Sequence, residues 1–327
     1  MKRCKKLKLE KLKFEFELPD CVISYIFSML SLKDLVKTSA LSKRWIYEWR
    51  LRMDLNFDLH NMFDYNTIQN LPTPLPFFQW FHFQSEFATR LDQFMLHYQG
   101  HTIRSIRLDF PLCNHHTDLI DRLISKGIAK GVKRPKLRHL KIINCDWSDT
   151  PDKISVDALN LSSFEYSGTT TKISVVAPRL LMVFWESAAS PRTPHPLSTI
   201  ARLTHIENLA MIISPSQVEK ITETLVRFQN LRQLNLLIKG AYNPNMDYFW
   251  ILDITMASQY LQQLSLTIRN PRQQHLHMNG VKRQKREYAG FSHNNLKYVK
   301  FCGCVCYVNV IELASNLLRN MQVRLRK

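Results

Sequence analysis

LRQLNL, residues 231–236, returns as LQQLSL, residues 261–266, and the apolar-x-x-apolar-x-apolar frame they share decides how most of this chain folds. The frame also occurs as IRSIRL at Ile103, LRHLKI at Leu137, LSSFEY at Leu161, LLMVFW at Leu180, IENLAM at Ile206 and LKYVKF at Leu296. Eight copies thus follow one another at intervals of 19 to 35 residues. Alternation along each copy is the period of a strand with one face turned inward. One such strand with a return segment behind it cannot bury its apolar side, whereas stacked neighbours share a continuous core. Where the interval is long the return reads as a helix. After Thr117, DLIDRLISKGIAKGV sets Leu119, Leu123, Ile124 and Ile128 on one face.

Upstream, residues 51–100 open with LRMDLNFDL, which alternates like a strand. LPTPLP follows, where Pro72, Pro74 and Pro76 exclude regular structure. Phe87, Leu91, Phe94, Met95 and Tyr98 then recur at helical spacing, and Gly100 is placed to end that helix. Earlier still, LPDCVISYIFSMLSLKDLVKTSALSKRWIYEW, residues 18–49, reads as three short helices. Pro19 suits a first helical turn, and Val22, Ile23, Ile26, Phe27 and Leu30 share a face. Ser31 with Asp34 forms a capping arrangement for a second helix carrying Leu35 and Val36. Ser42 caps a third, carrying Trp45, Ile46 and Trp49. So short a unit cannot bury all these side chains within itself, so the rest of the chain or a partner must cover the remainder.

The order L-P, I-F-x-x-L, L-K-D-L-V, L-S-K-R-W resembles an F-box, and its ending resembles the version common in plant F-box proteins. Cys21 stands where an acidic residue is usual and Leu32 where proline is frequent. The resemblance implies docking on the Skp-type adaptor of a Skp–cullin–F-box ubiquitin ligase. The residues it assigns to the adaptor interface and its supporting core are Leu18, Pro19, Ile23, Ile26, Phe27, Leu30, Leu35, Val36, Leu41, Arg44 and Trp45. The repeats resemble leucine-rich repeats of irregular length, and the two together resemble the plant F-box/leucine-rich-repeat families. The fold so implied is α/β (α+β), an N-terminal three-helix F-box followed by an irregular leucine-rich-repeat solenoid with a parallel concave sheet. Its divisions are a basic disordered tail at 1–17, the F-box at 18–50, a connector with a first strand and helix at 51–100, and the solenoid at 101–327.

The implied function is that of a non-catalytic substrate-recognition subunit: the F-box joins the adaptor and through it a cullin, and the repeats hold a target protein. A target so held is kept at high effective concentration near the ubiquitin-charged enzyme. The pairs RS, RH, SS, EN, RQ, QQ and KY fall on the expected concave surface; they are mixed with a basic lean and do not name the target.

Composition limits the alternatives. No run of about 18 uncharged apolar residues is present, so no membrane partner is expected. Phosphate-binding, nucleophile-elbow and H-E-x-x-H motifs are missing, so no catalytic residue, cofactor or metal is expected. Seven scattered Cys make no disulfide framework and fit the nucleus or cytoplasm. With 45 Lys and Arg against 27 Asp and Glu, the net charge of +18 raises nucleic acid as an alternative partner. Many of those cations lie in the first thirteen residues or in KRQKR, residues 282–286, which read as solvated segments, the former also fitting a nuclear import signal. A repeat scaffold without ligase activity is the other alternative.

Three further features are read as structural. In FCGCVCYV the thiols of Cys302, Cys304 and Cys306 alternate, and a break of register at Gly303 is expected to part them, with Cys304 inward as Cys145 is. HHTD, residues 115–118, reads as a capping loop. Trp80, Trp147, Trp185 and Trp250 read as core or rim, although Trp185, at the end of its strand core, is also placed to reach the concave surface.

Overall fold

The computed structural model describes residues 19–38, 40, 45, 52–70, 77–98, 103–112, 116–129, 137–145, 153–168, 172–187, 200, 203, 205–214, 217, 228–240, 247–269, 288, 290–303 and 308–320. Helices α1 (Asp20–Met29) and α2 (Leu32–Thr38) come first. Strand β1 (Asp54–Asp58), the short helices α3 (Leu59–Met62) and α4 (Tyr65–Gln69) and the long helix α5 (Phe77–His97) follow. The chain continues through β2 (Ser105–Asp109), α6 (Thr117–Ala129), β3 (His139–Cys145), β4 (Lys153–Asp157), β5 (Ser163–Gly168), β6 (Lys172–Val176) and β7 (Met182–Ser187). It ends with β8 (Asn208–Ile213), β9 (Gln233–Lys239), α7 (Trp250–Ala257), β10 (Gln263–Arg269), β11 (Tyr298–Gly303) and α8 (Val308–Asn320).

Nine strands form one parallel sheet in the order β1-β2-β3-β5-β7-β8-β9-β10-β11, and β4 pairs with β6 in a second parallel sheet. Each of the eight frame copies opens a strand of the large sheet two residues after its first apolar residue. The inward residues of that frame are 4% exposed or less in β1, β2, β3, β5, β7, β8, β9 and β10. They supply one core, closed from behind by residues such as Leu123 of α6 and Ile251 of α7. A backbone ladder locks the copies together at the start of each strand. The Arg104 carbonyl accepts from the N–H groups of Arg138 and His139 at 2.8 and 3.3 Å, and the Arg232 carbonyl accepts from Gln262 and Gln263 at 2.8 and 3.0 Å.

The sheet begins earlier than the repeats read from sequence. β1, in the stretch read as a connector, pairs in register with β2, Leu55 beside Ile106 and Phe57 beside Leu108. It went uncounted because Arg52 stands where the frame asks for its first apolar residue. In the two short intervals the return segments are the strands β4 and β6. A strand covers about twice the distance per residue of a helix, so it suits a short return.

Pro19 is the cap before α1 rather than part of its first turn, its carbonyl accepting from the N–H groups of Val22 and Ile23 at 2.9 and 3.1 Å. Trp185 is 4% exposed, 5.0 Å from the Tyr166 ring, so it lies in the core and does not reach the open face. It occupies an inward position of the frame, paired beside Tyr166 and Met211. Gly303 ends β11 with φ +81°, a break at the expected place, and a Cβ there would run into the Ile268 carbonyl oxygen. Cys302 is half-buried at an outward position, whereas Cys304, Cys306 and Trp147 lie outside the described residues, as do the side chains of Cys145 and Ile128. Among the described residues no three potential metal ligands gather. Among them, too, no helix is long and apolar enough to cross a membrane.

Candidate functional site

Two surfaces have the composition of binding sites: the outer side of the N-terminal helices and the open face of the sheet. In the first, α2 is started by Ser31, whose hydroxyl accepts from the Asp34 N–H at 3.2 Å and donates to the Asp34 carboxylate at 2.5 Å. α1 and α2 turn Ile23 (3%), Phe27 (8%), Leu32 (2%) and Leu35 (0%) into the protein's own core. Trp45 is half-buried and meets Phe27 edge to face, centroids 5.5 Å apart. Ile26 and Leu30 are half-buried against the same core, and Pro19 and Val36 are exposed. Leu18, Leu41 and Arg44 lie outside the described residues.

The residues read as one adaptor-binding set therefore divide: Ile23, Phe27 and Leu35 support, while Pro19 and Val36 face outward. Val22 also departs from its expected inward face, at 39% exposed. With Tyr25 (66%) and Met29 (70%) it makes an exposed apolar stripe along α1. The spacing of three and four residues was present in the sequence; what hid it is that α1 is apolar on both sides, so one strong periodicity masks the other.

The helical unit is fixed to the sheet through Arg52. Its guanidinium donates to the Leu30 carbonyl at 2.9 Å, and its own carbonyl accepts from the Tyr98 hydroxyl at 2.5 Å. Burial lowers the Arg52 pKa against the opposing pull of Asp54. Burial, aided by the Asp54 charge, pushes the Tyr98 phenol up to about 12. Lys33 adds a bond to the Phe63 carbonyl at 2.5 Å, and Lys37 reaches Asp64 at 3.0 Å. The hydrogen bond from Lys37 is the main reason the Asp64 carboxyl titrates below its ordinary range. A cavity of about 550 Å³ remains in this joint, lined by residues including Leu32, Val36, Met62, Arg90 and Phe94.

The open face changes character along the sheet. Over the first strands it is charged and internally paired: Arg104 with Asp54, Arg107 with Asp109 at 2.6 Å, and Lys141 with Glu165. The hydrogen bond from Arg104 is the main cause of a lowered Asp54 pKa. In the middle the face turns apolar, with Leu181 (42%) and Met182 (52%) exposed and Phe184, Ile212 and Leu237 half-buried. From β9 onward it becomes neutral and polar, through Asn235, Gln263 and Ser265, before ending in Lys297, Tyr298 and Lys300. Such a face supplies an apolar seat with polar surroundings and no gathered acid, base or nucleophile.

Comparison with known proteins agrees with this division. The family model described as At1g61320/AtMIF1, LRR domain, matches residues 126–326, and the F-box domain model matches residues 16–50. Among curated proteins of Arabidopsis thaliana, F-box protein At3g60790 is 34% identical over 165 residues, 50% of this chain and 30% of that protein. F-box/FBD/LRR-repeat protein At1g13570 is 42% identical over 45 residues, 14% of this chain and 11% of that protein. The chain spans about a third or less of the length of the curated relatives it matches. No solved structure matches it. β1 and β2 precede the matched repeat residues yet belong to the same sheet.

Proposed function

The chain belongs to the At1g61320/AtMIF1 leucine-rich-repeat family, with an F-box ahead of the repeats, and from that premise we propose that it is the substrate-recognition subunit of a Skp–cullin–F-box ubiquitin ligase. The observation that carries this reading is the stripe of Val22, Tyr25 and Met29 along α1, exposed on a unit whose Ile23, Phe27 and Leu35 are already packed in the core. Apolar surface left over after the unit has met its own core is what an obligate adaptor would cover. The subunit acts by proximity and not by chemistry of its own: the adaptor fixes one end, the open face holds the target, and the target's lysines stay within reach of the ubiquitin-charged enzyme. Thiol usage supports work in the nucleus or cytoplasm.

The test is affinity for a recombinant Skp-type adaptor, followed by assembly with the cullin. Tyr25→Glu with Met29→Glu is expected to weaken adaptor binding by roughly a hundredfold, the effect of removing two central apolar anchors, with the circular dichroism unchanged. Full affinity in that double variant, or no binding by the unaltered chain, overturns the reading.

A further inference from the structure

Among the described residues the large sheet stops at β11. β10 pairs with one side of the strand, and among the described residues no strand pairs with the other. The inward residues Val299 and Phe301 are half-buried, although their equivalents in the other strands of the sheet are 4% exposed or less. On the outward side stand Tyr298 (54% exposed) and Lys300, Lys297 is exposed just ahead of the strand, and no acidic residue occurs from 288 to 311. Neither lysine has an ion-pair partner, nor does Arg269 at the end of β10, among the described residues. The helix that follows, α8, also keeps apolar residues exposed. Asn316 accepts from the Tyr288 N–H at 2.9 Å, and the Tyr288 hydroxyl donates to Asp253 of α7. On the side of α8 away from that link, Ile311 and Leu318 are 49% and 62% exposed.

We propose that this edge is the docking surface for an extended acidic segment of another protein, which adds to β11 as one more strand. The period of two along a strand fixes the pattern required. Acidic residues lie beside Tyr298 and Lys300 on the open face, with Lys297 just ahead of the strand adding to the positive field, and the alternate apolar residues cover Val299 and Phe301 beneath. The lysines select this occupant, because pairing with a second copy of the same edge sets like charges together. The surface is separate from the α1 stripe, and the proposal stands whether or not the chain serves a ligase.

A short fluorescein-labelled peptide alternating Glu and Val, titrated with the full chain and read by anisotropy, is the probe. Saturable binding is expected, weakened roughly tenfold or more by Lys297→Glu with Lys300→Glu and by raised salt. N-methylation of alternate peptide nitrogens, which removes strand hydrogen bonds, is expected to weaken it likewise. Circular dichroism verifies the fold, and Lys300→Gln gives the same readout if the double variant fails to fold. Equal binding of a peptide with the same residues in blocked order, or of the N-methylated peptide, reduces the effect to charge attraction and overturns the proposal. So does unchanged affinity in the lysine variants, or a dimer in ultracentrifugation that hides the edge.

Discussion

Leu55 and Phe57 of β1 are 1% and 0% exposed, whereas Val299 and Phe301, which hold the same frame positions at the other end of the sheet, are half-buried. Among the described residues both strands are edges. The first is sealed from the side: α3 lies against it, Phe94 of α5 packs on Phe57 with centroids 5.3 Å apart, and Arg52 ties in the helical unit. The last has no comparable cover among the described residues. The frame fixes which way a side chain points, but how deeply it is buried depends on what the fold stacks beside it.

The sharpest test of that difference is to empty the two equivalent sites. Phe57→Ala is expected to lower stability by about 3–5 kcal/mol, and Phe301→Ala, which gives up only part of that burial, by about 1–2 kcal/mol, both read from urea unfolding. Equal losses would break the comparison. Gly303→Ala acts at the open end through the backbone, where positive φ and the Ile268 carbonyl both resist a side chain. A loss of about 1–3 kcal/mol is expected, and a neutral result would place the end of β11 differently.

The smallest effects come from two tyrosines, one near each end. Tyr98→Phe removes a hydroxyl bonded to the Arg52 carbonyl and should lower stability by about 0.5–1.5 kcal/mol. Tyr98 and Tyr288 both titrate at about 12 instead of near 10, the first mainly through burial, the second mainly through its hydrogen bond to Asp253. A raised phenol pKa favours the neutral form in the fold. Its contribution is therefore complete below pH 10 and fades as the pH rises through about 12. In an ultraviolet titration, Asp253→Asn should return Tyr288 toward 10 and leave Tyr98 in place; movement of both would mean that the two ends are coupled.

The eight strands that begin two residues into each frame copy were legible because period two with a buried face is a strong signal. β1 was obscured by a single residue, Arg52, which sits at an apolar position for the sake of the Leu30 carbonyl, a contact 22 residues away that no local pattern encodes. β4 and β6 left a trace that went unused, the near-identical alternating pentapeptides KISVD and KISVV. At the candidate site, periodicity found the helices and their buried residues Ile23, Phe27 and Leu35. It did not separate support from surface, since Tyr25 and Met29 are large, mainly apolar side chains like those they back onto.

The carbonyl ladder at the strand starts gives the molecule an order in time. Each upstream copy offers an acceptor and each downstream copy brings two N–H donors, as Met53 does for Arg104 and Ser105. At this ladder, peeling β11 away leaves the Gln262 carbonyl bare, which water serves readily; peeling β1 away would strand the amides of Arg104 and Ser105, the harder group to leave unpaired. Growth runs the same way. A chain leaving the ribosome presents each carbonyl before the amides that will fill it have been made, so the sheet can be built one strand at a time in step with synthesis.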